Sequence, residues 1–294
     1  MAKLRIMVSR HSAFYSPLIG AIAGGFLKQE GFDCTYAVVP PGKSVQDLIG
    51  EGQIDVAQSA VSGSWSALEK GQLPKAVHFA QINERDGFFI CARKADPGFG
   101  WSKLAGAHVV VDGVGQPLAM FKYACYRMGL DYTKINVIHA GGPDEMDQAF
   151  RRGTGDYVHL QGPYPQQLEK EGIGHVVASV GKAIGPVAFS SVIASREWLK
   201  SDAAKAFTRA YRKSRKWANE ADPTAIARAE REYFPKIDPG VLADTVRFYQ
   251  QLGAWGGDIA IPRAAYEVAL DVFLHSKVIT KRHRYDDVVA APPA

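Results

Sequence analysis

Three cysteines in 294 residues, Cys34, Cys91 and Cys125, are too few and too far apart for a disulfide framework or a CxxC metal pair. Each sits in apolar surroundings (FDCTYAVV, GFFICAR, FKYACYRM), as buried structural thiols do. Long apolar runs are missing too. Nothing approaches the roughly 18 residues of a membrane span. Behind Lys3 and Arg5 the apolar core is about three residues long, whereas a secretory signal needs about 7 to 15 and a small-residue cleavage site. With Met1 as the natural start the chain is expected in the cytoplasm; with a signal removed ahead of it, in the periplasm. Runs of one charge are also absent. The net charge of +5 allows steering of an anionic ligand, but without a basic tract it gives no reason to expect nucleic acid or a membrane as partner. Charged residues at 22% and aromatics at 11% exclude disordered and fibrous classes.

What is present is a 47% hydrophobic chain of a length that suits two lobes. KLRIMVSR reads as a buried strand, followed by a helix with Ser16 as N-cap, Pro17 in the first turn and apolar residues at helical spacing from Leu18 to Leu27 before Gly31. FDCTYAVVP, IDVAQSA, KAVHFAQIN and GFFICAR read as strands, with helices over SVQDLIGEGQ and Val61 to Gly71. The Pro/Gly-containing KADPGFGWSKLAG interrupts this rhythm. A second series follows: strands AHVVVDG, INVIHAG, DYVHLQ and HVVASVG alternate with helices QPLAMFKYACYRMG, PDEMDQAFRRG and PYPQQLEKEG. PVAFSSVIAS is a returning strand, and four amphipathic helices are expected near 201–220, 223–233, 238–252 and 262–276. The alternation predicts an α/β fold with largely parallel sheets. Lobe 1 would comprise 1–93 plus 192–294, with the helical tail packed on it, and lobe 2 would comprise 94–191. The two crossings would lie near 93–97 and 186–195, and ligands of such sheets bind beyond the strands' carboxyl ends, in the cleft.

FYSPLIGAIAGGFLKQEGFDCTYAVVPPGKSVQDLIGEGQIDVAQS resembles the first lobe of type II periplasmic binding proteins of the NMT1/THI5-like group, receptors of sulfonate, nitrate and thiamine-precursor ABC transporters. LAGAHVVVDGVGQPLAMFKYACYRMGLDYTKINVI, GTGDYVHLQGPYPQQLEKEG, SREWLKSDAAKAFTRAYRKSRKWANEADP and RYDDVV are similar to later segments of that family, in order. The resemblance implies the two-lobe venus-flytrap fold, closure around a small anionic or heteroaromatic ligand, and an ABC permease as partner. It also admits cytoplasmic enzymes of the same fold, a decarboxylase or lyase acting on an aromatic or heterocyclic acid. The cysteine-rich CCCxC motif of the pyrimidine synthases is absent, which argues against that chemistry. No cofactor and no metal site are expected.

Candidate ligand residues follow from position at strand ends. His11, Ser12, Phe14 and Tyr15 occupy the first strand-to-helix loop, where an aromatic wall and polar donors meet the positive end of a helix dipole. Gly113, Val114, Gly115, Gln116 and Pro117 form the corresponding loop of the second lobe; GxGxP is not a dinucleotide fingerprint, but its glycines permit close backbone approach. Ser59 and Ser62 follow the strand IDVAQ, and Gln161 and Tyr164 follow DYVHL. Lys43 reads as a solvated lysine and His159 as a packing residue. Glu84, Arg85 and Asp86 read either as a surface turn with Gly87 or, in an enzyme, as carboxylates working beside His11. The basic run Lys205, Arg209, Arg212, Lys213 and Lys216 recurs at helical spacing and reads as a solvated face, as does KRHRY.

Overall fold

The computed structural model describes all residues except Val114, so that part of the GxGxP reading lies outside the described residues. Strand β1 (Ala2–Val8) buries Leu4, Ile6 and Val8 at alternate positions, the period of a strand with one face on a core. The helix expected next comes in two pieces, α1 (Ser16–Ala23) and α2 (Phe26–Gln29). Gly25 between them has φ of +75°, and a Cβ on Gly24 would stand 2.7 Å from the Phe26 ring. Ser16 is not the cap it was expected to be. Ser12 caps a 3-10 turn over Ala13–Tyr15, its Oγ accepting from Phe14 N–H at 3.1 Å, and α1 continues directly from that turn.

The first sheet is completed by β2 (Phe32–Val38), β3 (Val56–Ser59) and β4 (Ala76–Asn83), with α3 (Val45–Gly50) and α4 (Ser62–Glu69) as connections. The second holds β5 (Phe88–Ala92), β6 (His108–Val110), β7 (Asn136–Ile138), β8 (Tyr157–Gln161) and β9 (His175–Ser179), connected by α5 (Gly115–Arg127), α6 (Pro143–Arg151) and α7 (Tyr164–Lys170). After the short α8 (Val180–Ile184), β10 (Ser190–Ser195) returns to the first sheet. The strand orders are β2-β1-β3-β10-β4 and β7-β6-β8-β5-β9.

Two expectations are corrected here. The first crossing falls at 84–87 rather than at 93–97, because β5 hydrogen-bonds to β8 and β9. Glu84, Arg85 and Asp86 therefore form the crossing itself, not a surface turn. The sheets are also mixed rather than largely parallel. Strands β5 and β10 each enter their sheet from the cleft, so they run antiparallel to the neighbours whose carboxyl ends reach it. Both sheets thus present the ends of their parallel strands and the start of one antiparallel strand to the same gap.

The helical tail comprises α9 (Asp202–Glu220), α10 (Pro223–Ala229), α11 (Pro239–Leu252), α12 (Arg263–His275) and the short α13 (Tyr285–Val288). Phe207, Ala210, Tyr211 and Ser214 bury one face of α9, and Ser214 Oγ donates to Pro17 O at 2.8 Å on α1. The opposite face carries the expected cations, paired locally: Arg209 and Lys213 with Glu30, Arg212 with Asp258. KRHRY is not wholly solvated. His283 is buried, with Nε2 2.6 Å from Glu69 Oε1. Helix α11 reaches the second lobe: Tyr249 OH accepts from Gly162 N–H and donates to Gly87 O, both at 2.9 Å.

Candidate ligand site in the interlobe cleft

Where the two sheets face each other lies a small cavity of about 180 Å³. From the first lobe come Ser9 and Arg10 after β1, Tyr15 from the capped turn, Gln58 near the end of β3, and Ser190 at the start of β10. They are tied together. Gln58 Oε1 accepts from Ser9 N–H at 3.0 Å and from Ser9 Oγ at 2.8 Å, and its Nε2 donates to Ser190 Oγ at 3.2 Å. The second lobe contributes Gln161 at the end of β8, Phe88 at the start of β5, directly opposite in the ladder, and Gln116 on α5. Gln116 spans the gap: Oε1 accepts from Ser62 Oγ at 2.9 Å and Nε2 donates to Phe189 O at 2.8 Å. Ser12 Oγ also bridges the lobes, donating to Gly162 O at 2.8 Å.

Arg10 dominates the electrostatics of the cavity. Its Nη2 lies 2.6 Å from Asp112 Oδ2, an ion pair between the first loops of the two lobes, and its guanidinium carbon is 5.6 Å from the centre of the Phe88 ring. Nη1 is buried and has no partner, and the same holds for both polar atoms of the Gln161 amide. Such groups are normally satisfied by water or a ligand. Burial raises the pKa of Tyr15, opposed by nearby Arg10, Ser190 and Gln161, so its hydroxyl stays protonated. Behind the wall, His159 is sandwiched between the rings of Phe88 and Phe121, at 4.5 and 4.8 Å, with neither nitrogen partnered. Burial, aided by Arg10, pushes its pKa down to about 3, so the ring is a neutral packing element, as its place in a strand suggested.

The expected site residues separate into three groups. Tyr15, Gln116, Pro117 and Gln161 line the cavity. Ser12 and Ser62 join the lobes beside it. The others stand elsewhere. Phe14 is fully buried against Phe189 and Tyr249. Ser59 borders a separate groove of about 540 Å³, shared with exposed Lys43. Tyr164 OH donates to Asp144 on α6. Gly115 is not in the wall; its φ of +66° starts α5 beneath Gln116, a conformation that favours glycine.

His11 is the main correction. Its ring stacks on Phe234 at 4.6 Å, with Nδ1 2.9 Å from Tyr36 OH and Nε2 2.7 Å from Tyr233 O. Burial lowers its pKa, opposed by the hydrogen bond that the ring donates to the Tyr233 carbonyl. Nor does the structure assemble the acid–base set expected of an enzyme. Glu84 pairs with buried Arg215 at 3.1 Å, and Asp86, fully buried, accepts from Phe88 N–H at 2.6 Å. The three have different neighbours and none lines the cavity.

Sequence reasoning missed Arg10, Asp112, Gln58, Phe88 and Ser190. Arg10 and Asp112 were legible in principle, each being within the first residues after a lobe's opening strand. Phe88 and Ser190 begin strands, and only the antiparallel insertion of β5 and β10 brings them to the cleft.

Two facing α/β lobes, crossed twice and enclosing a small polar cavity at their strand ends, define the two-lobe solute-binding class. A sequence model of the family described as NMT1/THI5 like matches residues 13–225, and the chain belongs to that family. It is 29% identical to the Bacillus subtilis (strain 168) protein named "Putative binding protein YtlA", over 98% of this chain and 88% of that one. Its fold is similar to the ligand-binding component of an ABC-type import system from Staphylococcus aureus, solved with zinc bound (TM-score 0.77, 16% identity, 99% and 97% of the chains). It is likewise similar to the alkanesulfonate-binding protein SsuA from Xanthomonas axonopodis pv. citri bound to MOPS (TM-score 0.75, 15% identity, 99% of each chain). Among the described residues no group of three or more His, Cys, Asp and Glu is arranged to hold a metal ion, and no helix is long and apolar enough to cross a membrane.

Proposed function

We propose that this solute-binding protein captures a small polar molecule in the interlobe cavity and presents it to an ABC permease on the outer face of the membrane. Arg10, Tyr15, Gln58, Phe88, Gln116, Gln161 and Ser190 form the contact set. The observation that carries this reading is the coincidence of unpartnered buried polar atoms, Arg10 Nη1 and the Gln161 amide, with a cavity at the convergence of both sheets. The permease and the periplasmic location rest on the family and on structural relatives named as import-system components and periplasmic binding proteins. The acid–base reading has no support in the placement of His11, Glu84 and Asp86.

The test is a thermal-shift and calorimetric screen of carboxylates, sulfonates, amides and pyrimidines. A hit should bind with unit stoichiometry, remain chemically unchanged after long incubation, and lose at least about ten-fold in affinity in Gln161→Ala, since that change deletes a contact inside a desolvated pocket. Turnover of the hit, or binding indifferent to Gln161, would sink the reading.

A further inference from the structure

The chemistry of the wall narrows the ligand, on the premise that the cleft cavity is the binding site. Arg10 is the single ionised side chain among the described residues lining it, and the opposite lobe already supplies its counter-charge. Asp112 is 3% exposed and, among the described residues, Arg10 is the one side chain hydrogen-bonded to its carboxylate. The remaining polar wall groups are neutral. Gln58 and Gln116 are engaged with the frame, whereas the buried Gln161 amide makes no hydrogen bond to the frame and has only the Tyr15 hydroxyl beside it. The rings of Tyr15, Phe88 and Phe189 complete the wall.

From this arrangement we infer that the cleft selects a small, uncharged, flat molecule with donors and acceptors along one edge, such as a primary amide, a ureide or a nitrogen heterocycle. Asp112 is the specificity-determining residue, a built-in counter-ion that excludes anions. A carboxylate or sulfonate reaching Arg10 has two options. It can displace Asp112, which strands a buried carboxylate without its cation, or it can lie beside Asp112 and be repelled. A neutral ligand does neither. It accepts a hydrogen bond from Arg10 Nη1, which is free, and closes a two-way pair with the Gln161 amide. At about 180 Å³ the cavity is well below the roughly 300 Å³ at which drug-sized pockets begin, so the molecule is no larger than one substituted ring.

The test uses isosteric pairs that differ in charge: benzoate and benzamide, nicotinate and nicotinamide, methanesulfonate and methanesulfonamide. Each is titrated by ligand-detected NMR against the wild type, Asp112→Asn, Asp112→Glu and Arg10→Gln, with a melting curve confirming that every variant is folded. In the wild type the amide of a bound pair should be tighter by at least about ten-fold, a difference of 1.4 kcal/mol. Asp112→Asn should reverse the order by freeing Arg10 for the acid, Asp112→Glu should retain it, and Arg10→Gln should weaken both members. Tighter binding of an acid by the wild type, or an acid affinity unmoved by Asp112→Asn, overturns the inference while leaving the binding-protein reading intact. Failure of all six compounds on every folded variant counts against both.

Discussion

Adjacent residues in the first loop have opposite duties. Arg10 turns into the cleft toward Asp112, whereas His11 turns back under the C-terminal helices onto Phe234 and Tyr233. His11→Ala should therefore leave ligand affinity within about two-fold of wild type while lowering stability by about 1–3 kcal/mol, the range for truncating a buried, hydrogen-bonded side chain. Urea denaturation beside a binding isotherm separates the two effects. Asp86 gives a pH signature. Burial, only partly opposed by the Phe88 N–H, raises its carboxyl to about 7. Between about pH 4 and pH 7 the native state keeps a proton that the unfolded state has lost, so this group's contribution falls as pH rises through that window and is most unfavourable above it. Asp86→Asn keeps an oxygen for Phe88 N–H and removes the titration. It should stabilise the protein by about 2–4 kcal/mol at pH 8 and by little at pH 4, read from urea midpoints across that range. His159, pushed down to about 3, slopes the opposite way between about pH 3 and 6.5, so the wild-type profile alone understates either group.

At the scale of elements, the two crossings are held by glycines that let backbone meet backbone or ring. A Cβ on Gly181, at the start of α8, would stand 2.2 Å from Asp86 O, and one on Gly87 would stand 2.7 Å from the Phe14 ring. Neither clash can be relieved by a flexible side-chain end. Gly181→Ala should cost at least about 3 kcal/mol, at the upper end for overpacking, because the obstacle is main chain. A melting scan checks it, and an unchanged Tm would mean that the strands between the lobes yield freely. Helix α11 works as a clasp through Tyr249, whose hydroxyl serves a donor on one lobe and an acceptor on the crossing. Tyr249→Phe strands both and should lower stability by about 1–3 kcal/mol. It should also speed ligand release more than it slows capture, which stopped-flow fluorescence can resolve.

For the whole molecule, closure is shared among polar links that include Arg10–Asp112, Ser12–Gly162, Ser62–Gln116 and Gln116–Phe189 at the cavity and Tyr249–Gly162 and Lys170–Asp238 from α11 and the loop before it. A ligand filling the cavity adds its binding free energy to this closed state. At a concentration one hundred times Kd the gain is about 2.7 kcal/mol. For a chain of 294 residues, whose unfolding entropy is about 0.6 kcal/mol/K, that corresponds to a Tm rise of about 4 °C by differential scanning calorimetry. A hit that satisfies its own isotherm but leaves Tm unmoved would be binding outside the cleft.

How much of this was legible in sequence follows the range of the interactions involved. The strands and helices, the two-lobe plan and the four main C-terminal helices, of which α10 proves shorter than the expected 223–233, rest on local periodicity and on caps and glycines a few residues apart, so the chain carries them openly. Tyr15, Gln116 and Gln161 could be named because a strand's carboxyl end is itself a local feature. The sheet to which β5 belongs could not, because GFFICAR can pair in either sheet and its partners, β8 and β9, lie more than sixty residues away. That one pairing moved the crossing to 84–87, buried Asp86 within it and brought Phe88 to the cavity. The direction of each loop side chain was equally out of reach: Arg10 and His11 differ by one position, and only the Asp112 loop on one side and the Phe234 ring on the other decide which of them meets the cleft. Sequence alone determined the elements and the class of fold; tertiary contact decided the cavity wall, because a wall is made by residues that meet only when two sheets close on each other.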